Sequence, residues 1–109
     1  MSNSGYGGWE NYVTRNVKLW MDNDQGSREF WDRQAKDLLA EHTYAWARFL
    51  LQKRLEAHYD RDVSAWIGKR PPCCFSDLLR ESLRGVNWWE LADQILEAVQ
   101  TELQTGGLR

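Results

Sequence analysis

Val86-Asn87-Trp88-Trp89-Glu90-Leu91-Ala92 opens the stretch that decides the fold. Asn87 carries a side-chain oxygen that can accept from the free N–H groups of a helix start, and Glu90, three residues on, completes a capping box. Val86 and Leu91 stand at the two positions of a hydrophobic staple, so the entry of the chain into a helix is specified twice. Beyond it, Trp88, Ala92, Ile95, Leu96, Val99 and Leu103 fall on one face at about 100° per residue, and Thr105-Gly106-Gly107 ends the pattern. Trp88 lies near the centre of that face. Trp89 lies about 60° off it, towards Asp93 and Glu97, which predicts a core indole next to a rim indole.

Upstream the same period recurs. Phe75, Leu78, Leu79, Ser82 and Leu83 mark a shorter helix, with Gly85 at the C′ position where a positive φ is favoured. Thr43 caps a helix running to about Tyr59, with Tyr44, Ala47, Leu51 and Leu55 on one side and Trp46, Phe49, Leu50 and Ala57 on the other. Two apolar sides predict a central helix. The tract from Asp60 to Pro72 contains Gly68, Pro71 and Pro72 and reads as a loop with at most one helical turn, anchored by Val63, Trp66 and Ile67. Trp31, Ala35, Leu38, Leu39 and His42 give a one-sided helix capped by Asp24 or Ser27. Val13, Val17, Trp20 and Met21 give another, stopped by the turn residues Asn23 to Ser27. No segment alternates as a strand. The expectation is an all-α, compact bundle of about five helices, a single domain over residues 9–105 behind a Gly- and Ser-rich flexible tail at residues 1–8.

Composition narrows the function classes. The chain has 109 residues, enough for one domain, and its 42% hydrophobic and 28% charged content is that of a globular protein. No run is long and apolar enough for a membrane span and the start lacks a secretory pattern, so a cytoplasmic protein is expected. A net charge of -2 is far from the basic balance of a nucleic-acid binder. Seven tryptophans stand out: Trp9, Trp20, Trp31, Trp46, Trp66, Trp88 and Trp89. Most are expected in the core, where indole supplies buried area to a small domain; any left outside are binding hot-spot residues.

Catalytic patterns are missing. There is no Gly-rich phosphate loop, G-x-S-x-G elbow or H-E-x-x-H, and Asp22/Asp24 and Asp60/Asp62 read as caps and turns. The adjacent Cys73 and Cys74 with His42 and His58 lack zinc-ligand spacing, so no metal and no cofactor is expected. Both histidines read as packed residues at helix ends. From Val86 to Leu108 the chain holds four acids, Glu90, Asp93, Glu97 and Glu102, and no Lys or Arg. Trp89 beside Glu90, Asp93 and Glu97 forms an acidic, aromatic strip suited to a basic patch on a protein partner, with Trp66 and Arg70 as further candidate contacts. An alternative is a nucleic-acid-associated regulator, with Arg48, Lys53, Arg54, Arg61, Lys69 and Arg70 as a basic patch and Trp66 as its stacking platform.

Two blocks carry a resemblance. Asn16-Val17-Lys18-Leu19-Trp20-Met21-Asp22-Asn23-Asp24 and Gly85-Val86-Asn87-Trp88-Trp89-Glu90-Leu91-Ala92 are similar to the N-V-x-L-W-x-x-N-D and V-N-W-x-E-(I/L)-A blocks of a family of small uncharacterised phage, plasmid and prophage proteins, a domain of unknown function. The likeness covers about 17 residues, and Gln25-Gly26-Ser27 and Phe30-Trp31 depart from it. It implies an accessory role on a mobile element, of which anti-defence proteins such as anti-CRISPR inhibitors of nuclease complexes are one kind. The expected partner is therefore a host-defence protein or nuclease complex in the host cytoplasm, bound without catalysis.

Overall fold

The computed structural model describes residues 11–68 and 74–106, all-α among these residues, with five helices: α1 Tyr12–Asn23, α2 Gln25–Glu41, α3 Tyr44–Gly68, α4 Cys74–Arg84 and α5 Trp88–Gly106. The expected tail at residues 1–8 lies outside the described residues. So do Trp9, Lys69, Arg70 and Cys73, and the side chains of Cys74 and Phe75 are not described.

The centre of the bundle is α5, whose Trp88, Leu91, Ala92, Ile95, Leu96 and Val99 are all buried. It packs on α3 and α2 and touches the start of α1. Leu51, Leu55 and Ala47 of α3, Trp31, Ala35 and Leu38 of α2 and Met21 of α1 complete the core. Each fully buried Leu stabilises by roughly 1.5–3 kcal/mol, so this cluster accounts for the cohesion of the fold. Leu103, expected on the apolar face, is 47% exposed near the end of α5. Two of the expected caps form: the Glu90 N–H donates to Asn87 Oδ1 at 3.0 Å, and the Trp46 N–H donates to the Thr43 hydroxyl at 3.3 Å. Asp24 takes the N-cap position of α2 without a side-chain cap bond, and Ser27 lies inside that helix.

Several boundaries differ from expectation. Helix α3 does not stop at Tyr59 but continues to Gly68, so the stretch from Asp60 is helical. Nothing between Asp60 and Ile67 breaks a helix; the breakers act only from Gly68 onward. His58 therefore lies within α3, 3.3 Å from Asp62, and not at a helix end. The Asn23 to Ser27 turn contracts to one extended residue, Asp24. Gly85 does not adopt a positive φ; it closes α4 through i→i−3 bonding, its N–H donating to Ser82 O at 3.0 Å. The second apolar side of α3 is only partly covered: Leu50 packs against the core, while Trp46, Phe49 and Ala57 stay exposed.

A polar joint without any local sequence signal holds the two ends of the chain together. Asn11 caps α1, its Oδ1 accepting from the Thr14 N–H at 2.9 Å and the Thr14 hydroxyl at 2.7 Å. The same hydroxyl accepts from the Asn87 N–H at 2.8 Å, and Asn11 Nδ2 donates to Gly85 O at 2.8 Å. Thr14 is fully buried, which is tolerated because both its backbone and its hydroxyl are bonded.

Candidate protein-contact surface

Trp88 is 8% exposed and Trp89 47%, the division their angular positions predict. The other tryptophans do not follow the expectation of a mostly buried set. Among the described tryptophans only Trp31 joins Trp88 inside, while Trp20 is 77%, Trp46 55% and Trp66 43% exposed. Trp20, expected in the core, points away from it, as does Leu19. On α1 the buried direction is set by Thr14 and Met21, and Trp20 lies about 100° from Met21. The inner pair is bridged by Tyr59, whose ring stacks on Trp31 at 6.4 Å and on Trp88 at 5.6 Å between centroids.

Trp89 is held in place. The Arg48 guanidinium lies 4.5 Å from the Trp89 ring centre and 5.6 Å from that of Tyr44, and its Nη1 is 3.3 Å from Asp93 Oδ1. The Tyr44 hydroxyl donates to the same Oδ1 at 2.8 Å. Asp93 is thus half-buried and committed to two partners from α3, which corrects its expected place on an open acidic face. Glu97 remains exposed; Glu90 is partly buried in the first turn of α5. Further along α3, Trp46 and Phe49 lie 5.4 Å apart and Lys53 caps the Phe49 ring at 5.7 Å.

This cluster makes one titration legible. The Tyr44 hydroxyl is pushed well above the ordinary value of 10.0 by burial, then by its hydrogen bond to Asp93 and by the charges of Asp93 and Glu97, against the opposing Arg48. Ionisation would set a phenolate against a carboxylate. Above about pH 10 the unfolded chain releases this proton while the folded one keeps it, so stability falls as pH rises. Urea melts from about pH 8 to about pH 11 should show a steeper loss for the wild type than for Tyr44→Phe. Tyr59, also raised chiefly by burial, keeps part of the slope in the variant. Equal slopes would contradict this assignment.

The basic patch is not assembled among the described residues. Arg48 is engaged by Asp93 and Trp89, while Arg54 donates to Gln34 Oε1 at 2.6 Å on the α2 side. Lys53 projects more than about 80° from Arg54 and Arg61 around the helix, and Trp66 lies about 27 Å along α3 from Arg48. Extending α3 is what scatters them. Trp66 is accordingly remote from Trp89, and Arg70 lies outside the described residues.

Two grooves flank the tryptophans. A cavity of about 960 Å³ opens between α3 and the α4–α5 junction, with Trp88 and Trp89 at one end. A second, of about 490 Å³, runs along α1 between Val13, Val17, Trp20 and Tyr59. Among the described residues no group of three or more His, Cys, Asp or Glu converges as a metal site, and no helix is long and apolar enough to cross a membrane. No known family profile, curated protein or solved structure matches this chain.

Proposed function

We propose that this chain is a non-enzymatic protein-binding inhibitor carried by a mobile element, with Trp89 at the centre of its contact surface. The observation that supports it is the placement of the tryptophans. Four of the described ones are left substantially exposed, although a small domain gains most by burying them. An exposed indole clamped by a guanidinium loses little freedom on binding, which is how hot-spot residues are presented. Trp46 and Phe49 form a separate exposed aromatic pair, about 160° and 100° around α3 from Arg48, and Glu97 supplies an acidic rim near Trp89 that steers a basic partner. A host-defence nuclease complex in the cytoplasm has such basic surfaces, and the two mobile-element blocks support that choice of target.

The test is a stoichiometric complex. The full chain, mixed with a defence nuclease complex from the natural host, should co-elute at a fixed ratio and inhibit in proportion to occupancy. Inhibition at a small fraction of the nuclease concentration would replace this reading with an enzymatic one. Binding to bare DNA or RNA with a steep salt dependence would replace it with the regulator.

A further inference from the structure

The larger groove has a mostly acidic wall, with Lys53 beside two carboxylates, and a basic wall facing it. On α3, Glu56 and Asp60 line it one turn apart; on the facing α4 wall stand Arg80 and Arg84. Glu56, Asp60 and Arg80 form no ion pair with another described residue, and Arg84 pairs only with Glu81 at 2.9 Å on the exposed surface. No ion pair among the described residues joins the two walls. Leu83 and Trp88 contribute to the floor. Helix α4 contributes little to the core: it packs mainly on α3, and Leu78 is left exposed.

Dimensions select the shape of an occupant. The lining residues on α3 run from Gln52 to Asp60, about 12 Å along the axis, or two helical turns. Two turns of helix are about 11 Å long and about 10–12 Å across with side chains, a length that matches this run. We propose that this groove takes two turns of an amphipathic partner helix with an apolar stripe, cations along one flank and carboxylates along the other. The cationic flank lies against Glu56 and Asp60, and the acidic flank against Arg80 and Arg84. Lys53 stands on the α3 wall beside the two carboxylates, and Trp89 meets the end of the bound helix. The proposal rests on the protein-binding reading and specifies the partner segment that the surface beside Trp89 receives.

Three fluorescent peptides of about 18 residues, long enough to hold helix, share one leucine stripe and differ in their flanks: Lys on one and Glu on the other, Lys on both, or Glu on both. Anisotropy with the full chain should show the mixed peptide binding roughly tenfold tighter than either single-sign peptide at low salt. Glu56→Lys combined with Asp60→Lys makes both walls basic and should shift the preference to the Glu-flanked peptide. Arg80→Glu combined with Arg84→Glu should shift it to the Lys-flanked one. All four positions are exposed, so circular dichroism should stay helical. Equal affinities for the three peptides, a preference that survives both reversals, or no binding at all would overturn the proposal. If no peptide binds while Trp89→Ala still weakens the nuclease complex, the groove assignment fails and the protein-binding reading stands.

Discussion

Trp88→Ala is expected to cost roughly 3–5 kcal/mol of stability, through lost burial and the cavity left behind. The indole is 8% exposed, and the Tyr59 ring stacked on it at 5.6 Å would lose its cover on one side. Small domains hold only about 5–15 kcal/mol in total, so the loss takes a large share. At about 4–8 °C per kcal/mol, a thermal melt should fall by at least roughly 12 °C, or lose its cooperative transition. Trp89→Ala, one residue away, removes an exposed cation–π contact worth about 0.5–1 kcal/mol and should leave the melt near wild type. A Trp88→Ala melt at the wild-type midpoint would show that this position is not core.

The contrast between neighbours also shows what a sequence makes legible. The start of α5 is local physics: a cap, a staple and a period of 3.6 act within about ten residues, and all can be read in order. The extent of α3 is not legible because Pro71 and Pro72 draw the expected boundary back across residues that have no reason to leave the helix. Trp20 was assigned to the core because its stripe is apolar, yet a 12-residue helix packed on one side buries only the direction of Thr14 and Met21. Thr14 itself carries no signal, since its role depends on Asn87, 73 positions away. The clamp on Trp89 is of the same kind. Arg48 and Asp93 are separated by 45 residues, and only the packing of α3 on α5 makes a charge pair out of a basic-patch residue and an acidic-strip residue.

That clamp sets the second large effect. Under the protein-binding reading, Trp89→Ala should weaken capture of the nuclease complex by at least about 2 kcal/mol, roughly 30-fold in Kd, because a central indole that excludes water carries more than its share of an interface. The loss should appear mainly in the dissociation rate. Asp93→Ala acts one step back: it frees Arg48 and strips the Tyr44 hydroxyl of its closest acceptor at 2.8 Å, so Trp89 keeps its area but loses its fixed orientation. Its effect on binding should be smaller than that of Trp89→Ala and accompanied by lower stability, since two half-buried polar groups lose a partner. Glu97→Lys, on the exposed rim, should leave the melt unchanged and slow association in a salt-dependent way. Surface plasmon resonance at two ionic strengths separates the three patterns. If Trp89→Ala folds normally and inhibits at the wild-type concentration, the α3–α5 edge is not the contact surface, and Trp20 over the α1 groove becomes the position to test.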